Sequence, residues 1–139
     1  MSKANQFRDA IVKYIRDWNS EIDIAIEKPV GYRFINNPRV IDILLHYNGR
    51  FLGIEAKLQE VEGTAYQKLF YTLEDCKNAP IPIIIVFTGQ GIKTDVKSKL
   101  IMSGYGIEVE FREGKIFENK PMLLQRVAIE LGINWFNLL

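Results

Sequence analysis

The dipeptide Asn48-Gly49 stands between two strand-like runs, Val40 to Tyr47 and Arg50 to Leu58. It constrains this chain more than any other feature. Asn-Gly tolerates the two positive-φ positions of a type I′ turn, so two residues suffice to reverse the chain and the flanking runs pair as an antiparallel hairpin. So short a loop also fixes register, and a slip by one residue would turn every side chain to the other face. Counting outward from the turn sets Asp42 opposite residues near Glu55, subject to a bulge or to strand twist.

Other elements follow from periodicity. Phe7, Ala10, Ile11, Tyr14, Ile15 and Trp18 recur at helical spacing with charged residues around the rest, which predicts an amphipathic helix ending near Asn19-Ser20. Ile22, Ile24 and Ile26 alternate with Asp23, Ala25 and Glu27, a strand that Pro29 and Gly31 should interrupt before a turn at Asn36-Asn37-Pro38. Thr64 can cap a helix through Tyr66, Leu69, Phe70 and Leu73, with Cys76 as a small apolar member, ending before Asn78-Ala79-Pro80. Ile81 to Phe87 does not alternate and reads as a strand buried on both faces. Beyond Thr88, Asp95 to Ser103 reads as a helix and Gly106 to Arg112 as a strand with a tight turn at Glu113-Gly114. Pro121 to Leu131 is then a helix stopped by Gly132. The order helix, three strands, helix, strand, helix, strand, helix predicts an α/β fold with a mixed central sheet covered by helices on both sides.

At roughly 100 to 200 residues per domain, a chain of 139 residues is expected to form one unit spanning 1–139. Its 47% apolar and 25% charged residues form an ordinary globular mixture. The longest apolar run, Ile81 to Phe87, is far short of the ~20 residues of a membrane span, and Met1 to Gln6 shows no secretion signal. A lone Cys76 fits a reducing, cytoplasmic compartment. A net charge of +1 excludes a global signature of nucleic-acid binding, so any such surface must be a local patch.

The chemistry-bearing residues are charges inside apolar strands, where an ionised group is expensive unless compensated. Asp42 is the only polar residue of Val40-Ile41-Asp42-Ile43-Leu44-Leu45. In Phe51-Leu52-Gly53-Ile54-Glu55-Ala56-Lys57, alternation sends Gly53, Glu55 and Lys57 to one face. Two carboxylates and an ammonium should therefore converge. Carboxylates held together repel, and a hard divalent cation such as Mg²⁺, bound by one or two carboxylates and several waters, is the usual compensation. Such an ion polarises a phosphate and acidifies a bound water, while Lys57 can orient that water or stabilise charge on the phosphorane.

Asp42 followed across the hairpin by Glu55-Ala56-Lys57 resembles the PD-(D/E)xK nuclease superfamily. The superfamily's helix, three strands, helix, strand order is also that of residues 7–87 here. Gln67 and Tyr71, one turn apart, are similar to the Gln-x-x-x-Tyr element of the RecB-type branch, and Arg39 to Tyr71 looks like a virus-type replication-repair nuclease domain. The sequence departs from that pattern in having Ile41 where a proline is expected, with Pro38 displaced. The resemblance implies a three-layer restriction-endonuclease-like core and a Mg²⁺- or Mn²⁺-dependent endonuclease acting on DNA. Asp42 and Glu55 would be its ligands, Lys57 the catalytic lysine and Gln67 a further site residue. A third acid often completes the site in relatives; Glu27, Glu21 and Asp9 compete for that place, and Glu27 is preferred because it closes the strand that would neighbour Asp42.

Lys68, Tyr71, Lys93 and Lys97, with Lys99, are candidate DNA contacts, and a solvated helix face explains them as well. His46 beside the turn reads as a rim residue rather than a base. The apolar tail, Leu131 to Leu139, either packs on the core or forms a subunit contact. One small site cuts one strand at a time, so double-strand or junction cleavage would need a symmetric dimer. The competing reading is a non-catalytic nucleic-acid-binding or assembly subunit that retains the fold, against which the intact Asp, Glu and Lys set argues.

Overall fold

The computed structural model describes the backbone of residues 1–34, 37–60 and 65–139, with side chains described outside 33–37 and 61–68. The element order is α1 (Lys3–Trp18), β1 (Asp23–Phe34), β2 (Asn37–Tyr47), β3 (Arg50–Leu58), α2 (Ala65–Lys77), β4 (Ile83–Thr88) and α3 (Thr94–Met102). There follow β5 (Gly106–Glu108), β6 (Glu110–Arg112), β7 (Lys115–Phe117), α4 (Met122–Leu131) and a 3₁₀ turn (Phe136–Leu138). The Thr64 cap and the loop residues 35–36 lie outside the described residues.

The first five strands form one sheet in the order β1-β2-β3-β4-β5. β1, β2 and β3 are joined antiparallel, whereas β3, β4 and β5 run parallel. Parallel neighbours need a crossover, and α2 supplies it between β3 and β4 as α3 does between β4 and β5. One face of the sheet packs on α1 and α4 through Phe7, Ile11, Ile15, Ile43, Leu45, Leu52, Ile54, Leu123 and Val127. The other packs on α2 and α3 through Ile41, Leu69, Leu73, Cys76, Ile85, Phe87, Val96 and Leu100. The sheet is thus the middle of three layers. β4 is buried at every position, as its lack of alternation predicts. No helix among the described residues is long and apolar enough to cross a membrane.

The hairpin forms as its sequence requires: Asn48 and Gly49 take φ of 51° and 82°, and Tyr47 pairs with Arg50. Two expectations are corrected. Pro29 and Gly31 do not interrupt β1, because β1 is an edge strand, where a residue without an N–H costs no ladder bond on the open side. Gly31, at φ 66°, sits within a register shift between Pro29 and Tyr32, so the strand bends and continues. Gly106 to Arg112 is not one strand but two. β5 extends the large sheet, the buried Val109 donates its N–H to the Phe87 carbonyl at 3.0 Å, and β6 then leaves to pair with β7 in a second sheet. The tail is divided: Ile133 and Leu138 pack against the α1/α4 core, while Phe136 and Leu139 remain exposed.

Candidate active site

Strand β2 turns over at Asp42. Ile43 and Leu45 belong to the α1/α4 core, yet Ile41, which a regular strand would place on their face, belongs to the α2/α3 core. β1 changes face with it: Ile24 packs on the first core and Val30 on the second. Between them lies Glu27 at φ 54°, set beside Asp42 by the pairs Ile26↔Ile43 and Lys28↔Ile41. The break frees the Asp42 side chain from regular alternation. Its Oδ2 accepts the Ala56 N–H at 2.8 Å, so a carboxylate takes the place of a ladder carbonyl.

The β2–β3 ladder runs from Tyr47↔Arg50 to Ile43↔Ile54 and ends where β2 turns over, so Asp42 meets β3 through its side chain instead, at the Ala56 N–H. Glu55 is 3% exposed and Lys57 half-buried. Both share the sheet face of Gly53, which looks toward α2. Glycine suits the space there: a Cβ would lie 3.0 Å from Ile83 Cγ1 and 3.1 Å from Ile41 Cδ1, so those side chains would have to give by a few tenths of an ångström. The one contact that carries Asp42 across the hairpin is with the Ala56 N–H, the residue between Glu55 and Lys57, where the hairpin meets the parallel half of the sheet.

Beside them lies a charged pair that sequence reasoning missed. Arg39, 2% exposed, donates from Nε to Asp75 Oδ2 at 2.8 Å, from Nη2 to Asp75 Oδ1 at 2.6 Å and from Nη1 to the Val30 carbonyl at 3.1 Å. This bidentate pair ties α2 to β2. The hydrogen bonds to Asp75 raise the guanidinium pKa further. Alternation from Ile41 already puts Arg39 on the inward face, a signal present in the sequence; its partner, a helix away, was not readable. Cys76 is buried next to this pair. Burial first, then the charges of Glu55 and Asp75, push its thiol up to about 12, so it is a neutral packing group.

Other candidates are placed apart. The Glu27 carboxylate is engaged by Arg8 Nη1 at 2.8 Å, and the Arg8 Nε donates to Asp9 at 3.0 Å. Glu21 is exposed beyond α1. Among the described residues no group of three or more His, Cys, Asp or Glu is placed to hold a metal ion. Lys97 is paired with Glu108 at 2.8 Å, and Lys99 lies 5.3 Å from the Phe70 ring centroid. Lys93 and Tyr71 are exposed. The side chains of Gln67 and Lys68 lie outside the described residues. His46 serves the turn: its Nε2 lies 3.2 Å from the Gly49 N–H and its Nδ1 lies 3.0 Å from Asp23 Oδ2.

A cleft of about 810 Å³ opens at the carboxyl ends of β3, β4 and β5, reached by Leu58, Thr88 and Glu108. Asp42, Glu55 and Lys57 do not line it; Leu58, which does, follows Lys57 in β3 and packs toward the α1/α4 core. Crevices beyond the carboxyl ends of parallel strands are where α/β sheets commonly receive ligands.

A mixed five-stranded sheet with helices on both faces, carrying Asp on one hairpin arm and Glu-x-Lys on the other, defines a restriction-endonuclease-like fold. The sequence profile of the PD-(D/E)XK nuclease superfamily domain matches residues 4–105, and the chain belongs to that superfamily. The crystal structure of a protein of unknown function is similar at a TM-score of 0.50 and 11% identity, over 79% of this chain and 61% of that one. A repair endonuclease from Pyrococcus abyssi matches at a TM-score of 0.42 and 13% identity, over 70% of this chain and 44% of that one. The chain therefore spans less than two thirds of the length of either. No curated protein matches it in sequence.

Proposed function

We propose that this chain is a divalent-metal-dependent endonuclease that hydrolyses DNA phosphodiester bonds. One observation carries the reading: the Asp42 carboxylate reaches across the hairpin to the N–H of Ala56, which stands between Glu55 and Lys57 in the strand. Two carboxylates suit Mg²⁺ or Mn²⁺, which take one or two protein carboxylates and retain waters. When bound, such an ion supplies Lewis-acid polarisation of a phosphoryl oxygen and a more acidic water.

The chain's own groups do the positioning. The Ala56 N–H fixes one oxygen of Asp42, so the carboxylate is oriented before any ligand arrives. Glu55, almost removed from water, presents its charge where screening is weak and attraction for a cation is strong. Lys57, two residues on and therefore about 7 Å along the strand, brings an ammonium to the phosphate and to the attacking water. Gln67 joins the site in this reading, and Tyr71, Lys68, Lys93 and Lys97 contact the DNA backbone, Lys97 after exchanging its Glu108 partner for phosphate. Double-strand cleavage calls for a symmetric dimer, and light scattering showing only monomer would rule that extension out.

The test is a cleavage panel over duplex, single-stranded, flapped and branched DNA with Mg²⁺ or Mn²⁺. Glu55→Ala and Lys57→Ala should remain folded and lose cleavage, and full activity in either refutes the assignment. Binding without cleavage across the whole panel would replace it with the non-catalytic reading.

A further inference from the structure

The family profile ends at residue 105, yet most residues lining the cleft come after it. They belong to β5, to the β6–β7 hairpin and to the segment leading into α4. The hairpin is anchored from below, where Phe111 packs on Phe7 of α1 with ring centroids 5.3 Å apart. On its exposed side the Arg112 guanidinium lies 4.2 Å from the Phe117 ring centroid, and Phe117 is 37% exposed. An aromatic ring with a guanidinium stacked on it, displayed at a cleft wall, is costly to leave wet and suited to a flat π-face.

Charge says which part of a ligand this wall meets. Three of the cleft's four carboxylates face cations: Glu60 is paired with Lys3, Glu108 with Lys97 and Glu110 with Arg112. The fourth, Glu118, accepts the Tyr14 hydroxyl and the Leu123 N–H, each at 2.8 Å. With Lys97 and Arg112 tied to carboxylates and Lys120 the further cation of the lining, the cleft's charge is nearly balanced, while Gln90, Asn119 and Phe117 offer amides and a ring. The volume is that of a small-ligand pocket, too small for a duplex and sufficient for one or two nucleotides. Three strand residues from Glu55 to Leu58 span about 10 Å.

We infer that the C-terminal hairpin forms a wall that holds an unpaired nucleotide strand beside the scissile bond, with Phe117 stacking on a base. This rests on the nuclease reading for the position of the scissile bond, but its test reads binding alone. Fluorescence anisotropy with a short single strand, a duplex carrying a three-nucleotide flap and a blunt duplex is measured in the Lys57→Ala background, where no cleavage intervenes. Phe117→Ala should weaken binding of the single strand and the flap about tenfold, the effect of losing one stacked base, and leave the blunt duplex unchanged within about twofold. Phe117→Leu, which keeps apolar volume without the ring, should behave as Phe117→Ala, and Phe117→Tyr should restore affinity. Unaltered flap binding in both Phe117→Ala and Phe117→Leu, an equal loss on blunt duplex, or no binding of any probe overturns the inference. Probe binding with these contrasts, in a protein whose wild type cuts nothing, would support the wall while sinking the catalytic assignment.

Discussion

Removing Asp75 alone should be among the most damaging single changes in the molecule. The Arg39 guanidinium is 2% exposed, and two of its three hydrogen bonds end on Asp75, so Asp75→Ala leaves a buried cation with the Val30 carbonyl as its hydrogen-bond acceptor and the charge of Glu55 nearby. Breaking a buried pair by deleting one partner costs about 3–5 kcal/mol. With about 2.1 cal/mol/K of unfolding entropy per residue, each kcal/mol moves the Tm of a 139-residue domain by about 3.4 °C, so a fall of about 10–17 °C is expected. Replacing both partners, as Arg39→Met with Asp75→Leu, removes the orphaned charge along with the pair and should recover most of that loss. Thermal unfolding followed by far-UV circular dichroism measures both. A fall below about 3 °C in the single variant, or a double variant no better than the single, would refute the view that desolvated charge governs this contact.

Three further outcomes are expected. Burial raises the Glu118 carboxyl pKa above its ordinary value of 4.5 against the opposing pull of its Leu123 and Tyr14 hydrogen bonds. The folded state therefore holds this proton more tightly than the unfolded chain, and the group's contribution, full below pH ~4.5, is lost as pH rises through the folded pKa. Glu118→Gln should accordingly gain stability relative to wild type between pH 4.5 and neutrality, and a gap that is constant or shrinks with pH in urea titrations contradicts the sign. Gly53→Ala forces a methyl against Ile41 and Ile83 and should cost about 1–3 kcal/mol, read as a lower urea midpoint at unchanged slope. Glu55→Ala and Lys57→Ala should abolish metal-dependent cleavage with the far-UV spectrum retained.

The parts of the fold legible in the sequence are those where local chemistry decides. Asn48-Gly49 specifies its turn whatever surrounds it, and the β2–β3 register from Tyr47↔Arg50 to Ile43↔Ile54 follows by counting. The unbroken apolar run through Ile83 to Phe87 carries its own message, since only a strand covered on both faces tolerates it. What stayed hidden depends on neighbours distant in sequence. Pro29 reads as a breaker until β1 is known to lie at the sheet edge. Val109 reads as mid-strand until Phe87 offers its carbonyl and the chain departs for the second sheet. Arg39 faces inward by alternation, but its burial becomes affordable only when α2 delivers Asp75. Glu27 illustrates the converse: register sets it beside Asp42, while Arg8 holds its carboxylate elsewhere.

The junction of antiparallel and parallel pairing at β3 bears on how the molecule comes together. Asp42 and Glu55 are linked through the shortest kind of reversal, so closing that segment costs little chain entropy, whereas β3 reaches β4 only after the long excursion through α2. Contacts local along the chain form faster than distant ones. A chain emerging residue by residue is therefore expected to pair the two acidic arms before β4 and β5 dock on β3, and to build the remainder of the sheet outward from that seed.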